Sequence, residues 1–361
     1  MNNKLRINFV LPRTGEWPSG GLRIVYEHAN HLARRGHDVT VVHPGRLVID
    51  PTGVDQLKNG IRYFLRKMDG RYTPEPWLKM DPKVNFTLVP SLSERFLPAG
   101  DAVIATAWQT AEWVSQYSKS KGRGFYFIQH LETWNGPDER VYATWKAPLQ
   151  KIVPSKWLAE VARDLGESAI YIPYGLDVDS FQMVIPREER SNNQLMMLYH
   201  NAAWKGCDDG LAALSLVRER EPDTRAILFG VPPRPTTLPD WIEYHQEPSP
   251  KLLRELYNRA AIYVAPSRTE GWGLPGCEAL LCGAALVATD IDGHREFAFD
   301  GQTALTSPAR MPSALAENIL RVIRDPELRI SLAKGGYNFV RQLTWERAST
   351  SFEAALCARV Q

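Results

Sequence analysis

The strongest constraint on the fold is a grammar that the chain uses twice: a short apolar run, an amphipathic stretch, then another apolar run. Near the start, "LRINFVLP" reads as a buried strand and "DVTVVHP" as a second strand. Between them, "GGLRIVYEHANHLARRGH" reads as a helix with Leu22, Val25, Ala29 and Leu32 on one face and Gly36 at its end. This strand-helix-strand unit is the building block of a doubly wound α/β domain. "DAVIATA", "GFYFIQ" and "QKIVPS" continue the pattern as short parallel strands, with "KWLAEVARDLG" as a helix. In residues 46–100, Pro51, Pro74, Pro76, Pro82, Pro90 and Pro98 are expected to interrupt any long element.

A break falls in "YIPYGLDVDSFQMVIPREERSNN", and the alternation then resumes. "QLMMLYH", "RAILFGV", "IEYHQ", "AIYVAPS" and "AALVATD" are strands, with helical patterns such as "DDGLAALSLVRER" and "PKLLRELYNRA" between several of them. A length of 361 residues suits two domains. The expected boundaries are 1–171 and 172–342, with a terminal helix over 343–361 that packs back on the first domain. No short-period repeat is visible.

Composition narrows the functional classes. Cys207, Cys277, Cys282 and Cys357 show no C-x-x-C spacing, which argues against a zinc site or a disulfide framework and for a cytoplasmic setting. The start runs straight into a strand, so no secretory leader is expected. The longest nearly apolar run, "ALLCGAALVA", is too short to span a bilayer. Net charge is +2, and no nucleic-acid partner is expected. The charge is uneven, at +6 over residues 1–170 and −4 beyond. That asymmetry suits an anionic acceptor or a peripheral membrane contact near the first domain, and equally a solvated surface.

The segment "SRTEGWGLPGCEAL" carries two glutamates, Glu270 and Glu278, around three glycines and a proline. The preceding strand and Pro275 put Glu270 in a strand-to-helix loop and Glu278 in the first helical turn. Such a pair suits the two ends of a long ligand better than an acid and nucleophile facing one bond. Gly271, Gly273 and Gly276 permit close backbone approach, and the helix N-terminus favours an anion. A nucleotide-linked sugar fits this description. The plain alternative is that Glu278 complements the helix dipole and Glu270 caps the loop.

The stretch "PSRTEGWGLPGCEALLCGAALVATD" resembles the donor-binding signature of the retaining glycosyltransferases of family four, which have the GT-B fold of two Rossmann-like domains facing across a cleft. Similar pieces are "SGGLRIVYEHANHLARRGHDVTVV", "IVPSKWLAE", "IPYGLDVDSF" and "WKGCDDGLAAL". Together they span most of the chain except residues 46–100. The resemblance implies that Glu278 holds the ribose hydroxyls, that Glu270 contacts the donor sugar, and that amides around Trp272, Gly273 and Leu274 meet the sugar or diphosphate. It implies that Lys205 neutralises the diphosphate. Where the family carries an arginine upstream of that lysine, this chain has Tyr199 and His200. Either His200 substitutes when protonated, or it is neutral, and leaving-group stabilisation is then weaker or comes from another residue such as Arg268.

In the first domain, the resemblance assigns Gly20 and Gly21 to phosphate or sugar oxygens, where the alternative is a turn that needs glycine for its conformation. His130, just past a strand's carboxyl end, resembles the histidine that reaches the donor sugar. Its alternative is an ordinary loop hydrogen bond. Glu132, Trp17 and Trp134 are candidates on the acceptor side, although most tryptophans pack in cores. The implied activity is retaining transfer from a nucleoside-diphosphate sugar, without metal or other cofactor, in glycan, polysaccharide or glycoconjugate biosynthesis. The acceptor is a sugar or glycoconjugate, lipid-linked forms included, contacted mainly by residues 46–100. A non-hydrolysing nucleotide-sugar epimerase and a non-catalytic nucleotide-sugar binder are the rivals, and fold alone cannot separate them.

Overall fold

Strands buried along nearly their whole length need cover on both faces, which parallel sheets with flanking helices provide. The computed structural model describes residues 4–45, 47 and 53–358. It divides into two units, Met1–Gly175 with Trp345–Gln361, and Leu176–Thr344.

The first unit runs β1 (Arg6–Val10), α1 (Gly20–Arg34), β2 (Asp38–Pro44), α2 (Gly53–Asp69), β3 (Val84–Val89), β4 (Ala102–Ala105), α3 (Trp108–Val114), β5 (Arg123–Phe127), α4 (Asp138–Trp145), β6 (Gln150–Val153), α5 (Lys156–Asp164) and β7 (Ala169–Tyr171). Its sheet has the order β3-β2-β1-β4-β5-β6-β7, and every pairing is parallel. The order reverses between β1 and β4, whose carboxyl ends open the crevice where doubly wound sheets bind ligands.

The second unit runs β8 (Gln194–Leu198), α6 (Cys207–Arg220), β9 (Arg225–Gly230), β10 (Ile242–Gln246), α7 (Pro250–Arg259), β11 (Ile262–Ala265), α8 (Leu274–Leu281), β12 (Ala285–Thr289), β13 (Ala304–Ser307), α9 (Pro312–Arg324) and α10 (Pro326–Val340). Its sheet, β10-β9-β8-β11-β12-β13, is also all parallel. The reversal lies between β8 and β11. Its core joins Met197, Leu228, Val264 and Val287 from the strands to Leu214, Ile319 and Leu320 from the helices.

The last helix, α11 (Trp345–Cys357), belongs to the first unit and packs on α1. Phe352 stacks on His28 at 4.3 Å between ring centroids. Glu353 accepts from Arg35 Nε at 2.5 Å and lies 3.0 Å from His37 Nε2.

Two expectations need correction. The prolines of residues 46–100 do not exclude long elements, because the stretch between Pro51 and Pro74 has none and holds the 17-residue α2; β3 follows before Pro90. Pro51 itself lies outside the described residues. Strands β7 and β13 were not anticipated, since each has only three or four residues and too short a pattern to register. No described helix is long and apolar enough to cross a membrane.

Candidate functional site

The loops that leave β8 and β11 are stitched together. Arg268 N–H donates to the Trp204 carbonyl at 2.7 Å, and the Arg268 guanidinium grips Asp209 through Nε at 2.8 Å and Nη2 at 3.0 Å. That pairing raises the guanidinium's pKa further above its already high value. The Arg268 fork is thus directed at a carboxylate within the unit, which fixes the two loops against each other.

This stitching sets Lys205 Nζ 2.7 Å from Glu270 Oε1, which also accepts from Ser267 Oγ at 2.9 Å. Burial alone would raise the Glu270 pKa, but the Lys205 ammonium and the Ser267 hydroxyl hold it below the ordinary carboxylate value. Lys205, Glu270, Gly273 and His294 line one pocket together with Leu198 and Ala265, the last residues of β8 and β11. The pocket thus sits at the carboxyl ends of the strands that flank the reversal.

Helix α8 starts at this pocket. Gly273 precedes it with φ +117°, a left-handed backbone that disfavours any side chain. Pro275 is the second helical residue and not the first, and it has no N–H to offer. Gly276 N–H donates to the Gly273 carbonyl at 3.1 Å, which leaves the Leu274 amide as the first-turn donor at the helix end. Glu278 consequently lies in the second turn, and no acidic residue occupies the first. Its dipole-complementing role weakens with that distance. Glu278 is buried and accepts from the Tyr257 hydroxyl at 3.1 Å. Burial and the Glu278 charge together push that phenol well above its ordinary pKa, so it stays a donor.

The remaining second-unit candidates differ in accessibility. The Trp272 indole is buried, parallel to Phe297, with Nε1 donating to Cys277 Sγ at 3.4 Å, so its ring faces the interior. His200 accepts the Ala202 N–H on Nδ1 at 2.9 Å, which leaves the proton on Nε2. Burial, with Lys205 adding to it and Glu270 opposing, lowers its pKa, so a neutral imidazole is favoured.

His294 was missed by sequence reasoning. It is 2% exposed, and Nδ1 donates to the Thr289 carbonyl at 2.9 Å, so Nε2 is the acceptor in the neutral ring. A Cβ at Gly273 would lie 3.3 Å from that Nε2, which locates it at the α8 end of the pocket. Burial depresses its pKa despite the Glu270 charge. The available signal was positional: "DIDGHREF" follows β12, a neighbour of β11 in the same parallel sheet.

In the first unit, Gly20 opens α1 with no atom within 4 Å of where a Cβ would stand, whereas one at Gly21 would meet the Gln129 side chain at 3.4 Å. Neither has a positive φ, so backbone conformation does not require glycine at either place. His130 follows β5 and Gln129. Its Nδ1 accepts from Leu131 N–H at 2.8 Å, and its ring meets Trp134 edge-on at 4.1 Å. Trp17 is exposed and Trp134 partly so. The Glu132 carboxylate turns inward, accepting from Trp108 N–H at 2.8 Å and Tyr126 Oη at 3.4 Å. Burial pushes its pKa up to about 7 against those two neutral donors. In this position it braces the start of α3.

Comparison with known proteins follows the same lines. Residues 195–325 match the family described as glycosyl transferases group 1. The phosphatidyl-myo-inositol mannosyltransferase of Mycobacterium tuberculosis is 25% identical over 368 aligned residues, covering 94% of this chain and 93% of that one. The D-inositol 3-phosphate glycosyltransferase of Jonesia denitrificans is 30% identical over 166 residues, covering 42% and 39%. The chain spans about a quarter and two-fifths of the length of the first two curated relatives it matches. Among solved structures, Anabaena HepE in complex with UDP-glucose superposes with a TM-score of 0.73 at 14% identity, covering 98% of this chain and 99% of that one. With two all-parallel sheets of reversing order, the chain has the GT-B fold, and its residues 195–325 match the group 1 glycosyltransferase family.

Proposed function

We propose that the protein transfers a glycosyl group from a nucleoside-diphosphate sugar to an acceptor hydroxyl, with retention at the anomeric carbon and with the chain's own groups, not a metal, stabilising the leaving diphosphate. The observation that carries this reading is the Lys205–Glu270 pair at the mouth of α8, a partly buried carboxylate kept charged beside a cation. As the bond from the anomeric carbon to the diphosphate oxygen breaks, negative charge grows on that oxygen. Lys205 and the Leu274 amide are set to meet it. The acceptor hydroxyl adds to the same face of the sugar, and its proton passes to the departing phosphate.

The other candidates take complementary roles. Glu278, braced by Tyr257, binds the ribose hydroxyls, and Glu270 and His294 Nε2 accept from hydroxyls of the donor sugar. Neutral His200 contributes an N–H near the diphosphate in place of a charged arginine. Gly20, Gly21 and His130 serve the sugar and diphosphate from the first unit, with Trp17 and Trp134 on the acceptor side. The HepE complex favours uridine as the base, with UDP-glucose the first donor to try. The inositol-directed relatives favour a polyol acceptor, free or lipid-borne, within glycoconjugate synthesis at the cytoplasmic side.

The test is a melting-temperature screen against nucleoside diphosphates and their sugars, followed by product analysis with EDTA present. A diphosphate at 100 times its Kd adds about 2.7 kcal/mol to the unit that binds it. Glu278→Ala is expected to remove that shift, and Glu270→Gln to keep it while transfer fails. Wild-type turnover in both variants would end the assignment of the loop. Donor interconversion without acceptor would mark an epimerase, and binding without transfer or slow donor hydrolysis would mark a binder.

A further inference from the structure

We propose that Arg187, Arg190 and Arg329, at the amino edge of the second unit's sheet, form a binding site for a phosphoryl group, separate from the donor pocket. Ala260 and Cys282, which close α7 and α8, stand just before β11 and β12. Arg190 is 5% exposed there and donates to the carbonyls of Ala260 at 2.9 Å, Ile185 at 2.7 Å and Cys282 at 2.5 Å. Its charge thus rests on the negative ends of two helices. Helix α8 begins at the donor pocket, so its length of about 12 Å separates the two places.

The two neighbouring guanidiniums are not answered in this way. Arg329 is 3% exposed; only Nη1 donates, to the Arg187 carbonyl at 2.9 Å, and the buried Nε has no acceptor among the described residues. Arg187 lies over the Tyr337 ring at 5.1 Å, with Arg341 at 5.5 Å from the same ring. Its buried Nε and Nη2 also have no acceptor among the described residues. A buried donor left in this state is costly, and more so on a charged group. Burial lowers the pKa of all three arginines, and at Arg190, brought down to about 10, the charges of Arg187 and Arg329 lower it further. One carboxylate, Glu188, acts on all three, and it is exposed.

Charge and geometry select the occupant. Three guanidiniums against one carboxylate leave an excess of two positive charges. A phosphate monoester, at about −1.5 to −2 at neutral pH, matches that excess, and a single carboxylate does not. The forked donors of arginine suit phosphoryl oxygens, and here they come from two segments that meet, the turn before β8 and the first turns of α10. Arg187 is half-buried and receives the anion by swinging from the Tyr337 ring. No donor-pocket residue takes part, so this inference stands or falls apart from the glycosyl-transfer reading.

The experiment is a melting-temperature titration of the full chain with inorganic phosphate and with glycerol 3-phosphate, against sodium chloride at matched ionic strength. Saturable stabilisation is expected with both, the tighter of the two telling a free anion from a monoester. Arg187→Gln and Arg329→Gln should each weaken the apparent affinity about tenfold. In chloride, Arg187→Gln should melt no lower than the wild type, because it removes a charge that has no partner. Glu188→Gln should tighten binding about threefold by removing the competing carboxylate, and Lys205→Met should leave it unchanged. Three results would overturn the proposal: neither phosphate compound stabilises beyond chloride, sodium acetate stabilises equally well, or the effect survives Arg187→Gln and disappears in Lys205→Met, which puts the anion in the donor pocket.

Discussion

Glu132 and Glu270 make an instructive pair. Each follows the carboxyl end of a strand in its own parallel sheet, each residue is partly buried, and each accepts two hydrogen bonds. Their ionisation moves in opposite directions. Glu132 meets a backbone amide and a phenol, and burial raises its pKa to about 7. Glu270 meets a hydroxyl and the Lys205 ammonium, and its pKa falls below the ordinary value although burial pushes it the other way. Burial sets the penalty for charge, and the presence of a cation within 3 Å decides its outcome. The first unit thus keeps a carboxyl poised to be neutral for support, and the second keeps one charged where a ligand would arrive.

The sharpest way to break the contrast is to remove the cation. Lys205→Met leaves Glu270 buried beside Ser267 alone and should lower transfer about a hundredfold to a thousandfold. It should also destabilise the second unit by about 3 kcal/mol, and adding Glu270→Gln should restore part of that stability. Urea melts of the single and double variants measure both effects. An equal loss in the two would show that the pair is not coupled. In linkage terms, the depressed Glu270 pKa contributes stability above its unfolded value near 4.5, lost as pH falls through the lower folded value. Lys205→Met should abolish that acid dependence.

A second test shifts the carboxylate without touching its partners. A Cβ at Gly293 would stand 2.4 Å from the Glu270 carbonyl oxygen and 2.9 Å from its Cβ, so Gly293→Ala must displace the Glu270 backbone. A displacement of this kind costs up to about a hundredfold in turnover when geometry matters. Steady-state kinetics should show the loss mainly in kcat, with nucleotide affinity nearly intact. Unchanged kinetics would mean that Glu270 has no positional role.

The smallest effect is expected at Glu132. Its raised pKa means that the stability it contributes is complete below about 4.5 and lost as pH rises through about 7. Glu132→Gln should therefore match the wild type at pH 4 and exceed it at pH 8 by on the order of 2 kcal/mol, a figure reduced for partial solvent screening. The transition of the first unit, followed by calorimetry at both pH values, reports it. No difference at pH 8 would make the carboxyl an ordinary one.

These groups were unevenly legible in the sequence. Strands such as β2 and β12 declare themselves as continuous apolar runs, and Glu270 and Glu278 fall in a segment whose spacing already suggests a ligand, whereas Lys205 is picked out only by the family resemblance. The pairing of Arg268 could not be read, because its partner Asp209 is 59 residues away in the chain and only the crossing of two loops joins them. His294 was silent for the same reason, since nothing local says that the loop after β12 turns towards Gly273. Helix α2 was hidden by counting prolines without measuring the gap between them. Local pattern reports periodicity and backbone chemistry, while the partner of a charge is a property of topology.

The return of α11 to the first unit has a consequence for how the protein is made. Residues Leu176–Thr344 form one uninterrupted segment, so the second unit can close as soon as that segment leaves the ribosome. The first unit, begun earlier, still lacks the helix that covers His28 and answers Arg35 and His37. Its completion waits until α11 has been made. A message or chain cut short just before Trp345 would release a finished second unit tethered to a first unit with an open apolar seam, the kind of species that chaperones and proteases recognise.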